Sequence, residues 1–325
     1  MLLFLLAIVG GFALTIWAAD RFVEGAAATA RSLGITPLVI GLTVMAIGTS
    51  APEIAASALA ALQGHPGLGV GNAVGSNIAN IGLILGVTAL IRPLTLTSST
   101  LRRELPLLVL VTFLCVLFLA NGQLERTEAL LMFLLMVLAL IWTVKIARNP
   151  EADDPMVTDL SAQVPQAERL GSALGQLALG LVVLLGAAQL LVWGAVGLAE
   201  AFGVSDLVIG LTIVAIGTSL PELATCIAAV LKRHYDLVLG NVLGSNLFNL
   251  LVVLPIPGLL APGPLPDGVM SRDIPVMLGL TLLVVILARG FGGHRRITRM
   301  AGLTLLLMFI AYQASLFLTN PVVMR

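Results

Sequence analysis

The sequence predicts an all-α polytopic membrane protein, with ten transmembrane helices built as two inverted-topology repeats of five. Three observations carry this. The chain of 325 residues is 58% hydrophobic and 10% charged, with a mean hydropathy of +1.07, whereas a soluble domain is about a quarter charged. Several apolar runs approach the roughly 20 residues that a helix needs to cross a bilayer, and the alternating segments of a β-barrel are missing. Finally, the stretch 41–80 returns at 210–249 with about half of its positions identical.

Taken in order, the spans lie near residues 2–30, 36–62, 68–91, 104–120, 126–147, 171–199, 206–231, 237–260, 273–289 and 299–319. The first, "MLLFLLAIVGGFALTIWAAD", lacks a basic leader and has a long apolar run, so it reads as a span rather than a signal peptide. The polar, acidic, Pro-containing stretch 148–169 reads as a cytoplasmic linker between an N-terminal half, 1–147, and a C-terminal half, 170–325. With the N-terminus outside, the inner loops collect Arg31, Arg92, Arg102, Arg103, Lys145, Arg148, Arg169, Lys232, Arg233, Arg289, Arg295, Arg296 and Arg299. Arg126, Arg272 and Arg325 stay on the outer side. Positive charge is retained on the cytoplasmic side, so both termini are predicted outside the cytoplasm. Five is odd, so the second half enters the membrane upside down. Inverted repeats are frequent in secondary transporters, whose substrate sites lie near the midplane between the halves.

The repeat concentrates chemistry in two segments per half. The first is "AIGTSAPE" (46–53) or "AIGTSLPE" (215–222); the second is "GNAVGSNIAN" (71–80) or "GNVLGSNLFN" (240–249). Proline lacks an N–H and clashes with the carbonyl four residues earlier, so Pro52 and Pro221 are expected to expose the Gly48 and Gly217 carbonyls. Free carbonyls in a bilayer cost several kcal/mol each unless they face protein or a cavity, and a cation would satisfy them. Glu53 and Glu222 add carboxylates, Thr49, Ser50, Thr218 and Ser219 hydroxyls, and Asn80 and Asn249 amides. Ser76 and Ser245 sit four residues before those asparagines, on the same helix face. Oxygen without sulfur or imidazole suits hard cations such as Ca²⁺ and Na⁺. Two carboxylates balance one Ca²⁺ or two Na⁺, and mutually exclusive occupancy is the physical basis of exchange. Left without a cation, such a buried pair is costly and tends to take up protons.

Other features read more plainly. Gly71, Gly75, Gly240 and Gly244 form small-residue pairs for close helix packing. Asn72, Asn77, Asn241 and Asn246 are expected to satisfy broken backbone, and Cys115 and Cys226 to pack as small apolar residues. His65 and His234 fall in loops, and Asp20, Arg21 and Glu24 suggest a local ion-pair network at the first span.

The paired "AIGTS-x-PE" and "GNxxGSN" motifs resemble the α-repeats of the cation/calcium antiporter superfamily, in particular its prokaryotic sodium/calcium exchangers. The resemblance covers both repeats, about 110 residues, and the ten-span plan fits the whole chain. It implies sites between the second, third, seventh and eighth helices, with the first and sixth sliding as the gate. It further implies Glu53 and Glu222 as shared Ca²⁺ and Na⁺ ligands, joined by Thr49, Ser50, Thr218, Ser219, Ser76 and Ser245 and by the backbone carbonyls of Ala46 and Ala215. The potassium-dependent branch carries Asp where this chain has Asn249, which argues against potassium dependence.

The expected function is Ca²⁺/Na⁺ antiport by alternating access in a prokaryotic inner membrane, with H⁺-driven Ca²⁺ or divalent antiport as the alternative. Ca²⁺ and Na⁺ are the transported ions, and no organic cofactor is expected. Zero formal net charge gives no case for nucleic acid, and no obligate protein partner is implied beside the lipid bilayer. No Ser/His/Asp or His-rich set suggests an enzyme.

Overall fold

A computed structural model describes residues 1–96, 103–147, 170–202, 215–289 and 296–319. The linker 148–169 and the first part of the seventh predicted span, 206–214, lie outside the described residues. The described chain is almost wholly helical. Its helices are α1 (Leu2–Leu33), α2 (Pro37–Thr49), α3 (Ala51–Leu62), α4 (Pro66–Ile91), α5 (Leu105–Phe118), α6 (Arg126–Ala147), α7 (Leu170–Ala201), α8 (Ala215–Thr218), α9 (Leu220–Leu231), α10 (Tyr235–Leu260), α11 (Ile274–Arg289) and α12 (Arg299–Thr319). Among the described residues, seven stretches are long and apolar enough to cross a membrane, or eight if α2 and α3 are one span bent by 42°. The helices α5 and α9 are apolar but shorter. The helix ends fall within a few residues of the sequence expectation, because proline sets many of the starts: Pro37, Pro52, Pro66, Pro106 and Pro221 all stand in first turns.

The polarity pattern is that of a protein solvated by lipid. Large apolar side chains are exposed on α1, α6, α7 and α12, among them Leu6, Phe12, Leu134, Val182 and Leu307. In contrast, every residue of α10 from Asp236 to Phe248 is buried, the polar ones included. The core strand of contacts therefore runs through α10 and α4, and the polar residues are collected there.

Packing at the periphery is set by glycine. A Cβ on Gly25 would stand 2.4 Å from the Leu177 backbone nitrogen, and one on Gly180 would stand 2.6 Å from that of Phe22. Backbones of α1 and α7 thus touch along their length, the close approach that drives association where lipid removes the hydrophobic incentive. The acidic residues of α1 are tied to the rest by Lys232, whose Nζ lies 2.7 Å from Asp20 Oδ1 and 2.8 Å from Glu24 Oε1. Arg21 adds a 3.1 Å pair with Glu24. The network expected from sequence is present, but its key cation comes from the end of α9 rather than from α1.

The repeat is visible in local backbone detail. Gly64 takes a left-handed φ of +83° and Arg233, at the matching position, takes +64°. After each, a histidine N–H returns to the preceding helix: His65 to Ala60 O at 2.8 Å and His234 to Ala229 O at 2.9 Å. Arginine adopts a conformation that costs a side chain about 1–2 kcal/mol, so the turn is imposed by its surroundings. Both histidines cap the next helix, outside the spans as expected. Burial, then Arg31 and Lys232, hold the His234 pKa below its ordinary value. Two short antiparallel ribbons join the halves: β1 (Leu94–Thr95) with β4 (Arg296–Ile297), and β2 (Gln123–Leu124) with β3 (Gly263–Pro264).

Candidate cation site

The two repeated breaks adopt one geometry. Ser50 has φ −83° and ψ 8°, and Ser219 has φ −88° and ψ 4°. Each serine stands at the N-cap of a new helix with proline and glutamate in its first turn. Ser-x-x-Glu is the sequence of a capping box, yet neither N-cap makes a side-chain capping bond. Ser50 Oγ instead donates to Glu222 Oε1, 3.2 Å away in the other half. Thr49 also lies against the Glu222 carboxylate. The helix N-termini place partial positive charge behind each carboxylate, and Glu53 and Glu222 are near enough for their charges to act on each other.

The rest of the oxygen set lies in the same core. Thr49, Ser50, Glu53, Ser76, Asn80, Ser219, Glu222, Ser245 and Asn249 are all buried, with none more than 6% exposed, while Thr218 is half-buried. Three cross-half hydrogen bonds draw them together: Ser50 to Glu222, Thr49 Oγ1 to Asn241 Oδ1 at 3.3 Å, and Asn80 Nδ2 to Asn246 Oδ1 at 3.1 Å. Asn80 and Asn249 each open a wide π-type turn, 80–85 and 249–253, a distortion found mostly at functional sites. Ala46 O already accepts the Ser50 N–H at 3.0 Å; a carbonyl has a second lone pair, so this does not remove it as a ligand. Ala215 begins α8, and its side-chain surroundings lie outside the described residues.

Four oxygens of this set are buried without a hydrogen-bond partner: Glu53 Oε2, Glu222 Oε2, Ser245 Oγ and Asn249 Oδ1. Buried acceptors of this kind carry a desolvation cost of a few kcal/mol each, larger for a carboxylate. Hard cations are bound by oxygen acceptors of this kind. Among the described residues no cluster of three His, Cys, Asp or Glu exists, so hydroxyl, amide and carbonyl oxygens have to complete any such coordination.

The glycines of the second half pack as expected, whereas the asparagines depart from expectation. Gly240 and Gly244 do pack closely: a Cβ on Gly240 would stand 2.5 Å from Leu38 O and one on Gly244 2.7 Å from Leu42 O. Among the described residues nothing stands within 4 Å of a Cβ on Gly71 or Gly75. The repeat equivalents of the residues that Gly240 and Gly244 meet are 207, 210, 211 and 215, all but 215 outside the described residues. The asparagines also divide. Asn72 Nδ2 does reach backbone, the Glu53 carbonyl at 3.1 Å. Asn241, Asn246 and Asn77 bond side chains instead, those of Thr49, Asn80 and Met277. Cys226, expected only to fill space, accepts a hydrogen bond from Asn241 Nδ2 at 3.4 Å. The signal for it was its alignment with Ser57 in the repeat.

Long apolar helices around buried, cross-linked carboxylates define an integral membrane protein of the ion-transporting class. The chain belongs to the sodium/calcium exchanger family: the model of the family described as "Sodium/calcium exchanger protein" matches residues 3–145 and again 172–318. It is 48% identical, over 98% of this chain and 99% of the relative, to CaxA of Alkalimonas amylolytica, provisionally named an antiporter. It is 40% identical, over the full length of both, to the inner membrane protein YrbG of Escherichia coli (strain K12). A solved structure of the sodium-calcium exchanger NCX_Mj superposes with a TM-score of 0.84 at 33% identity, over 97% of this chain and 99% of that one.

Proposed function

We propose that the protein is a Na⁺-driven Ca²⁺ antiporter working by alternating access, with Glu53 and Glu222 as the shared ligands. The observation that carries this is the pair of partnerless buried carboxylate oxygens, Glu53 Oε2 and Glu222 Oε2, in helices joined across the halves by the Ser50–Glu222 bond. Ca²⁺ takes six to eight oxygens. The two acids, Thr49, Ser50, Thr218, Ser219, Ser76, Ser245, Asn80, Asn249 and the Ala46 and Ala215 carbonyls supply more than that number, enough to serve Ca²⁺ and Na⁺ at overlapping positions. Coordination by both halves means that a rocking or sliding of α1 and α7 can open the site to one side at a time.

The same reading takes the chain as ten spans in two halves, 1–147 and 170–325, joined by the linker 148–169. The twofold match of the family model and the matching turns at Gly64 and Arg233 support the duplication. Five spans per half invert the second half, ten in all leave both termini on one side, and the basic residues of the inner loops assign that side to the outside of the cytoplasm. YrbG is named an inner membrane protein, and we assign this chain to the same kind of membrane.

A second reading keeps the site and changes the driving ion: protons replace Na⁺ on Glu53 and Glu222. It is supported by the two buried, partnerless carboxylate oxygens themselves, since a pair of buried acids can be neutralised by protons as well as by metal. Proteoliposomes separate the two. With voltage clamped, ⁴⁵Ca²⁺ uptake is expected to follow an imposed Na⁺ gradient and to ignore a pH gradient; uptake driven only by the pH gradient sinks the Na⁺ reading. Asn249→Asp adds a third charge and should make Ca²⁺ transport more steeply pH-dependent, at least threefold between pH 6 and 8 relative to wild type. An unaltered pH profile would count against Asn249 as a ligand.

A further inference from the structure

We propose that Asn72 and Asn241 are positioning residues that lock each carboxylate-bearing turn to the following helix, and that Cys226 makes the second lock the weaker one. This rests on the reading of Glu53 and Glu222 as cation ligands.

The lock is built from the same three positions in each half. In the first, Asn72 Nδ2 donates to Ser57 Oγ at 3.1 Å, and Ser57 Oγ donates to Gly69 O at 3.2 Å. In the second, Asn241 Nδ2 lies 3.4 Å from Cys226 Sγ, and Cys226 Sγ lies 4.0 Å from Val238 O. Serine 57 and Cys226 occupy matching repeat positions, as do Gly69 and Val238. Each stands one helical turn beyond its glutamate, on the same face. Asn72 therefore fastens α3 to α4, and Asn241 fastens α9 to α10, one turn beyond each glutamate; Asn72 Nδ2 also reaches the Glu53 carbonyl at 3.1 Å.

At the matched acceptor the locks differ in one atom, oxygen in Ser57 and sulfur in Cys226. A hydroxyl is a good acceptor and donor; a thiol is weak as both. The second lock also carries more, because Asn241 Oδ1 lies 3.3 Å from Thr49 Oγ1 of the other half, whose one proton is shared with the Met45 carbonyl at 3.1 Å, and Thr49 lies against Glu222. A chain of contacts thus runs from Cys226 through Asn241 and Thr49 to the carboxylate. Cation affinity depends on how firmly ligands are held before binding, so the acceptor strength at residue 226 should tune it.

The test is a series at two matched positions, read as the apparent KM for Ca²⁺ in Na⁺-driven flux and as equilibrium ⁴⁵Ca²⁺ binding to the detergent-solubilised protein. KM should order as Cys226→Ala above wild type above Cys226→Ser, about threefold per step, with kcat changed less than twofold. Ser57→Cys, which weakens the first lock, should raise KM about threefold. A residue that only fills space predicts otherwise: serine and alanine, both smaller than cysteine, would then shift KM in the same direction, and that result overturns the proposal. If Cys226→Ala fails to fold, the opposite shifts of Cys226→Ser and Ser57→Cys carry the same information, and equal-signed shifts refute it. Glu53→Gln is the reference. Loss of ⁴⁵Ca²⁺ binding in it with no ordering in the series removes the lock alone, whereas undiminished binding removes the site reading and the lock with it.

Discussion

Glu53→Gln and Glu222→Gln should each lower Ca²⁺ flux by about 100-fold or more while leaving an inserted, folded protein. The substitution is nearly isosteric, so packing around a residue that is 1% or 2% exposed is retained. What changes is charge. A divalent ion facing two carboxylates is neutralised; facing one, it carries an uncompensated positive charge in a buried site. Breaking a buried ion pair costs about 3–5 kcal/mol, and each 1.4 kcal/mol is about tenfold in affinity. The apo protein should respond in the opposite sense. Without a cation the two acids must repel each other or take up protons, and each holds an unpaired oxygen, so replacing one by a neutral amide relieves the resting site. The expected signature is therefore a loss of flux together with a melting temperature, in detergent without Ca²⁺, equal to or above that of wild type. Wild type should gain melting temperature on adding Ca²⁺, and the variants should not. Flux near the wild-type level in either variant would show that the ion path lies elsewhere.

Much of this site was legible in the sequence because membrane and repeat act as filters. In a soluble protein a buried glutamate competes for notice with dozens of solvated ones. Here Glu53 and Glu222 stand in apolar surroundings, where charge is costly and therefore informative, and each is marked again by its twin. The break at each "SxPE" was equally plain, since proline fixes where a helix must restart. The use made of Ser50 was not. Its spacing to Glu53 signals a local cap, but the hydroxyl turns to Glu222 in the other half, a choice set by tertiary approach that no local pattern encodes. Lys232 illustrates the same limit: the acids of α1 were visible, but their cation lies about 200 residues away in the chain. A thiol in an apolar helix carries no signal alone, and Cys226 gains a role only through its equivalence to Ser57 and its hydrogen bond from Asn241.

The other large effect is expected at the backbone contact beneath the site. Gly240→Val should leave little transport, with a cost to stability at or above the roughly 1–3 kcal/mol usual for overpacking a core. A Cβ at Gly240 would stand 2.5 Å from Leu38 O and 2.9 Å from Gly41 Cα, while one at Gly41 would stand 2.8 Å from Gly240 Cα and 3.0 Å from Asn241 N. Every one of these neighbours is backbone, so no rotamer change can make room. Relief requires α2 and α10 to move apart by the order of 1 Å, since carbon contacts relax only near 3.5–4.0 Å. The same movement pulls Thr49 from Asn241 Oδ1 and Ser50 from Glu222, whose bonds at 3.3 and 3.2 Å have little length to spare. Stability and transport should therefore fall together, and Gly240→Ala should fall between Val and wild type in both. Gly10→Ala supplies the contrast. Among the described residues nothing lies within 4 Å of a Cβ there, and alanine in a helix interior is favoured over glycine by about 1 kcal/mol, so flux should be unchanged and melting temperature unchanged or slightly raised. Melting in detergent and ⁴⁵Ca²⁺ uptake, measured on the four proteins side by side, decide the matter: a Gly240→Val protein that melts and transports like wild type would mean that the halves do not meet at this contact.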